Sequence, residues 1–213
     1  MKIKVCGLKY SDNIKAVTDL NPDYVGFIYY AKSPRFVNDI DADFLGELPT
    51  SIYKTAVFVN EGEQEISRLI EQHGFDAIQL HGNESPEFAQ EFKGRVEVLK
   101  AFGLNEDFDF EQLNPYTNKV DYFLFDTKTD EHGGSGRTFD WGILNNYQLD
   151  VPFFLSGGLS LDNLNQIANI KHPQFYGVDL NSKFETAPGL KDIDKLKQAF
   201  AVLKQPITHE IRS

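Results

Sequence analysis

Eight times along this chain a short apolar run gives way to a polar, helix-competent stretch, and that alternation limits the fold more tightly than any other feature. The runs lie at 2–6, 24–29, 53–59, 77–80, 96–100, 122–125, 153–155 and 175–180. Helices are expected from 11 or 12 to 20, over 41–48, 63–73 and 84–92, within 106–114, from about 140, and over 161–168 and 192–203. Strands apolar at nearly every position belong to a parallel sheet covered by helices. Each interval accommodates a crossover helix. The pattern therefore predicts an α/β fold, a closed (βα)8 TIM barrel with a parallel eight-stranded sheet, with residues 1–213 as a single domain. An open doubly wound sheet is the alternative, yet CGLKYSD after the first strand has one glycine and no dinucleotide-binding fingerprint.

Charge and cysteine usage remove whole classes of function. A formal net charge of −11 without any Lys/Arg cluster argues against nucleic acid as a partner. One cysteine forms no intrachain disulfide and no four-cysteine zinc site, which makes the cytoplasm the expected location. No apolar run has signal-peptide or membrane-spanning length, so neither secretion nor a membrane partner is expected. His81 lacks neighbours at metal-ligand spacing, and His73, His132, His172 and His209 do not supply them; no metal is expected.

A barrel carries its chemistry on the loops that follow its strands. The candidates there are Cys6, Arg35, Asn60, His81, Lys100, Asp126, Gly157, Gly158 and Asp179. Side chains alternate along a strand, so Cys6 shares the inner face with Lys2 and Lys4, while Ile3 and Val5 point to the helices. By the same count Asp126 faces inward with Tyr122 and Leu124, and Phe123 and Phe125 face outward. An ionised, unpaired carboxylate costs several kcal/mol to bury, so Asp126 needs a partner or a place at the rim. A thiol, ordinarily near a pKa of about 8.5, becomes a base near neutrality when a cation or helix N-terminus lowers it, and a carboxyl in a partly dry pocket becomes an acid. Together they suit proton transfer between carbon and oxygen. The alternative for Cys6 is a small buried hydrophobe.

After Asp126 the chain crosses a polar loop with Gly133, Gly134 and Gly136 and reaches Asp140, an expected helix cap. LSGGLS at 155–160 and NSKFE at 181–185 follow the last two strands. In barrels these loops and a short helix often cradle phosphate, which selects Gly157, Gly158, Ser182 and the cation of Lys183; two ordinary turns are the alternative. The planar fork of Arg35 matches a carboxylate.

KVCGL at 4–8, GFIYYAKSPRFV at 26–37, VFVN at 57–60, QLHGNE at 79–84, LFDTKTDEHGGSGRTFDW at 124–141, LSGGL at 155–159 and GVDLNSKFETAPGLKD at 177–192 together resemble the phosphoribosylanthranilate isomerases of tryptophan biosynthesis. The likeness covers essentially the whole chain. It implies a cofactor-free Amadori rearrangement of N-(5-phosphoribosyl)anthranilate to 1-(2-carboxyphenylamino)-1-deoxyribulose 5-phosphate, an aldose–ketose isomerisation of the intramolecular oxidoreductase type. The position matching Cys6 is then the general base and that matching Asp126 the general acid. Arg35 holds the anthranilate carboxylate, Asp179 a sugar hydroxyl, and Gly157, Gly158 and Ser182 the phosphate, with His81 also against substrate. The partner is a small phosphorylated molecule, and the chain a monomer or homodimer.

Departures from the family pattern are few. Asn181 and Lys183 stand where a serine and a glycine are usual, Ser135 replaces a commoner threonine, and Tyr29–Tyr30 makes the second loop aromatic. A histidine-pathway isomerase would prefer aspartate at position 6, and a ribulose-phosphate epimerase would need metal ligands. A barrel that binds a phosphorylated ligand without turning it over remains the reading from another class.

Overall fold

The computed structural model describes residues 1–38, 40–127 and 141–204. Eight parallel strands close into a barrel in chain order: β1 (Lys2–Val5), β2 (Tyr24–Ile28), β3 (Tyr53–Phe58), β4 (Ala77–Leu80), β5 (Glu97–Leu104), β6 (Tyr122–Thr127), β7 (Phe153–Ser156) and β8 (Phe175–Leu180). Closure is made by β1 against β8, with Lys4 beside Asp179 and Val5 beside Leu180. Closed on itself, the barrel sheet has no edge strand of its own, which removes the commonest route to strand-to-strand aggregation along it.

Alternation along each strand builds two apolar layers. Tyr24, Ala77, Leu99, Ala101, Leu124 and Phe154 fill the inside, while Val5, Phe27, Phe58, Phe123, Phe125 and Phe153 pack outward. The outer layer is closed by α1 (Ser11–Thr18), α2 (Ala42–Gly46), α3 (Glu63–His73), α4 (Pro86–Gln90), α5 (Ile193–Leu203) and three 3-10 segments. The inward and outward faces expected for Cys6 and Asp126 are the faces observed. Above the apolar interior sits a polar layer toward the C-terminal ends, where Lys4, Gln79 and Asp179 are buried.

Helix ends follow local chemistry in some places and not in others. Asp192 caps α5 by accepting from the Lys195 N–H at 3.1 Å, and Gly74 closes α3 with φ +60°, a left-handed conformation that glycine adopts freely. At α1 neither Ser11 nor Asp12 is the cap; Tyr10 occupies that place without a side-chain bond.

Several expected boundaries shift. β5 runs past Lys100 to Leu104, so Lys100 is a mid-strand residue, and β6 carries Asp126 inside the ladder beside Gly103 and Ser156. The helices expected within 106–114 and over 161–168 are 3-10 turns at Phe110–Tyr116 and Leu164–Asn169. In the first, Pro115 lies inside the turn and lacks the N–H that an α-helical continuation requires. A further 3-10 turn covers Trp141–Asn146; Asp140, the glycines at 133, 134 and 136, Ser135, His132 and His209 lie outside the described residues. The chain also makes an antiparallel hairpin not foreseen from sequence, β9 (Glu185–Ala187) with β10 (Leu190–Lys191), turned at Gly189 with φ +84°. No helix among the described residues is long and apolar enough to cross a membrane.

Candidate active site

One pocket at the C-terminal end of the barrel brings together Cys6, Arg35, His81, Asp126, Gly157, Gly158, Asp179 and Ser182. Eight of the eleven candidate residues thus line a single cavity, though they come from six different strand ends or loops. Asn60 and Lys100 line an adjoining pocket that shares His81 and Asp126 with it, and Lys183 lines neither. It stands exposed on the three-residue 3-10 turn Ser182–Phe184, beside the pocket rather than in its lining. That turn is too short to present a helix dipole, so a phosphate there relies on individual N–H groups and hydroxyls.

Cys6 follows the last residue of β1, and its N–H still bonds the Leu180 carbonyl at 3.0 Å. Its thiol lies against β2 where Gly26 has no side chain; a Cβ at Gly26 would stand 2.7 Å from Sγ. The next residue, Gly7, has φ +78°, and a Cβ there would stand 2.7 Å from both the Arg35 Cδ and the Asn181 Oδ1. Two glycines therefore shape the floor around the thiol: one yields space in a strand, the other turns the chain under Arg35.

Three charged groups below the pocket decide its electrostatics. Lys4, fully buried, donates from Nζ to Gln79 Oε1 at 2.8 Å and to Asp179 Oδ2 at 3.0 Å. Burial alone would lower this ammonium, but Asp179 and Cys6 carry it above its ordinary value, so it stays charged. Burial pushes the Cys6 thiol up, and the attraction of Lys4 and Lys191 only partly offsets this. The lowering expected for a base is therefore absent, because dry surroundings outweigh two cations. Burial raises Asp179 as well, against the pull of Lys4, and its Oδ1 has no hydrogen-bond partner among the described residues. An unsatisfied carboxylate oxygen in a pocket lining is fit to receive a ligand hydroxyl.

Across the mouth, Asp126 and His81 are each about one-third exposed, and Asp126 Oδ2 stands 3.4 Å from His81 Nε2. His81 Nδ1 meets Gln79 Nε2 at 2.7 Å. The β9–β10 hairpin supplies the rest. Glu185 binds Arg35 through Nε at 2.9 Å and Nη2 at 2.7 Å, and takes the Lys191 ammonium at 2.7 Å; Lys191 also bonds Asn181 Oδ1 at 2.8 Å. Burial would raise the Glu185 carboxyl, but Arg35 and Lys191 hold it below the usual range. Arg35 is thus braced on one edge of its fork, with Nη1 outside the bridge.

Gly157 and Gly158 both have positive φ, +82° and +61°, so the turn after β7 is open only to residues that tolerate the left-handed region. Asn163 pins this turn by donating to the Gly158 carbonyl and accepting from the Ser160 N–H, both at 2.9 Å. Among the described residues, no group of three or more His, Cys, Asp or Glu side chains is arranged to hold a metal ion.

Sequence reasoning passed over Gln79, Lys4, Glu185 and Lys191. The first two left a signal: a lysine and a glutamine on the inner faces of otherwise apolar strands must be paired once buried. Glu185 and Lys191 left none, because nothing in ETAPGLK announces a hairpin folded back over the barrel mouth.

The model of the N-(5'-phosphoribosyl)anthranilate (PRA) isomerase family matches residues 3–202. The N-(5'-phosphoribosyl)anthranilate isomerase of Parabacteroides distasonis is 43% identical over 97% of this chain and 95% of its own length. Among solved structures, phosphoribosyl anthranilate isomerase from Thermotoga maritima superposes with a TM-score of 0.83 at 33% identity, covering 96% of this chain and 98% of that one. A structure of such an isomerase in complex with reduced 1-(o-carboxyphenylamino)-1-deoxyribulose 5-phosphate superposes with a TM-score of 0.79 at 28% identity, covering 96% of this chain and 98% of the other.

Proposed function

The chain belongs to the N-(5'-phosphoribosyl)anthranilate isomerase family, and on that premise we propose which of its groups carry out the isomerisation and in what order. Asp126, in its acid form, protonates the ribose ring oxygen of N-(5-phosphoribosyl)anthranilate, and the ring opens to an iminium. Cys6, as thiolate, then takes the proton from C2, which the iminium has made labile, and the electron pair moves to give an enolamine. Tautomerisation to the ketone yields 1-(2-carboxyphenylamino)-1-deoxyribulose 5-phosphate. C1 is reduced and C2 oxidised within one molecule, so the change is an internal oxidoreduction of the aldose–ketose kind, and these two protein groups supply its proton transfers.

The observation that supports this division of labour is the placing of Cys6 and Asp126 on one pocket, the thiol deep and dry, the carboxylate at the rim. A raised thiol is a stronger base once ionised, and substrate entering beside Lys4 and Lys191 meets it between two cations. Arg35 holds the anthranilate carboxylate through the edge that Glu185 leaves outside the bridge. Asp179 Oδ1 receives a sugar hydroxyl, and His81 steadies substrate and acid together. Gly157, Gly158 and Ser182 hold the phosphate, with the long stem of Lys183 reaching in from outside. We place the protein in the cytoplasm as a single barrel domain acting on a small phosphorylated substrate.

Fluorescence of the anthranilate adduct tests the reading directly. Added to the protein, the adduct loses its fluorescence as product forms, and Asp126→Asn abolishes that loss while still binding the reduced product analogue. A wild-type protein that binds the adduct and leaves its fluorescence intact would be a binding barrel and not this enzyme.

A further inference from the structure

Between the base and the acid lies a side chain to which no role has yet been given. Gln79 is buried in the middle of β4 and lines the pocket. Its amide joins Lys4, at 2.8 Å from Oε1, to His81 Nδ1, at 2.7 Å from Nε2. We infer that Gln79 is a positioning residue, which holds His81 as a neutral imidazole with its proton on Nε2, the nitrogen nearest Asp126.

The assignment follows from counting donors. An ammonium has donors only, so the atom facing Lys4 Nζ must be the amide oxygen. That choice turns the NH2 toward His81, where Nδ1 has to accept. A ring nitrogen that accepts carries no proton, so the proton resides on Nε2, the atom 3.4 Å from Asp126 Oδ2. Lys4 is a dependable anchor because Asp179 keeps it charged. Protonating Nδ1 would set donor against donor in a dry place, which leaves one of them unsatisfied.

A neutral donor is what the acid needs. An imidazolium beside Asp126 would favour its ionised form and weaken it as a proton source; a neutral imidazole does so far less, because it brings no net charge. Other charges facing His81 are already taken: Lys100 of β5 is bound by the Leu80, Gly82 and Ala101 carbonyls and stands 3.3 Å from Glu84, and Arg35 is bridged by Glu185. Cys6 and Asp179 are held against Lys4, with Asp179 also within electrostatic reach of Asp126.

The functional half of this inference rests on the isomerase mechanism above; the tautomer does not, and the test separates them. In the full chain labelled with 15N-histidine, long-range proton–nitrogen spectra read the His81 tautomer without substrate, with the signal assigned by its loss in His81→Asn. Wild type is expected to show the Nε2–H form. Gln79→Glu offers an acceptor to Nδ1 and should replace that pattern with one protonated at Nδ1, alone or on both nitrogens. Gln79→Met, which offers neither bond, should give a mixture. Both variants should lose kcat by roughly tenfold or more with KM moving much less. A wild-type His81 protonated on Nδ1 overturns the inference. So does an unchanged tautomer in both folded variants, or a changed tautomer with kcat intact. If wild type shows the Nε2–H form yet does not consume the adduct, the isomerase mechanism fails and the tautomer assignment stands.

Discussion

Cys6 sits where burial lifts its thiol and Lys4 and Lys191 pull it down, with the balance upward. Replacing it by serine keeps the volume close but makes the group a far weaker acid, so that no anionic base forms near neutrality, and turnover at saturating substrate should fall about 10²- to 10⁴-fold with binding little changed. Near wild-type turnover would remove Cys6 from the mechanism. Because cations favour thiolate, Lys191→Met should move the rising limb of kcat/KM against pH toward higher pH; a limb that stays put would mean that Lys191 serves the hairpin alone. Arg35 is braced by Glu185 on two of its nitrogens, a geometry that a lysine does not reproduce. Arg35→Ala is therefore expected to raise KM more than it lowers kcat, and a pure kcat defect would assign it to holding the loop. At the rim, Lys183→Gly should weaken inorganic phosphate binding by a few-fold and flatten its dependence on salt, an effect kept small by solvent. Equal affinities at two ionic strengths would return Lys183 to the bare surface.

At the scale of elements, each strand was legible because a strand buried on both faces has to be apolar almost throughout. Its inward face was legible too, which is how Cys6 and Asp126 were placed before any contact was known. The connecting segments were less so. Leu164–Asn169 has helical spacing, yet forms a 3-10 turn, since its short span is decided by packing against the barrel and not by propensity. The β9–β10 hairpin was invisible because two- and three-residue strands carry no periodicity, and with it went the Arg35–Glu185–Lys191 bridge. The outer aromatic layer carries much of the sheet's attachment: Phe123 and Phe125 of β6 both pack on Tyr147, and Phe125 packs on Phe153 of β7. Phe123→Ala should cost about 3–5 kcal/mol by the cavity it leaves, read as a lower denaturant midpoint. The pocket faces the other side of the strand, so kcat of the folded fraction should hold.

For the molecule as a whole, the titrations of buried phenols set an alkaline limit. Burial raises Tyr24, Tyr122 and Tyr147 above the ordinary tyrosine value, Tyr24 further so beside Glu97, with which it shares a 2.9 Å bond. The folded state thus keeps protons that the unfolded chain gives up. Stability from these groups is complete below the unfolded value of about 10 and is lost as pH climbs beyond it. Melting temperature should drop between pH 9 and 11, and Tyr24→Phe should make that drop shallower even if it starts from a lower value. On the acid side the sign reverses for Glu185, whose folded carboxyl lies below the ordinary value of 4.5: its contribution is present above that value and fades as pH falls through the folded one.

The bond between Lys4 and Asp179 joins residues 175 positions apart, in the first strand and the last. During synthesis the ribosome releases the lysine early and its counter-ion almost at the end. A nascent chain that closed its sheet before β8 emerged would bury an ammonium with no anion to meet it, at a cost of several kcal/mol. A chain truncated ahead of residue 179 lacks that anion, and is expected to leave its sheet open rather than shut it over an unpaired lysine.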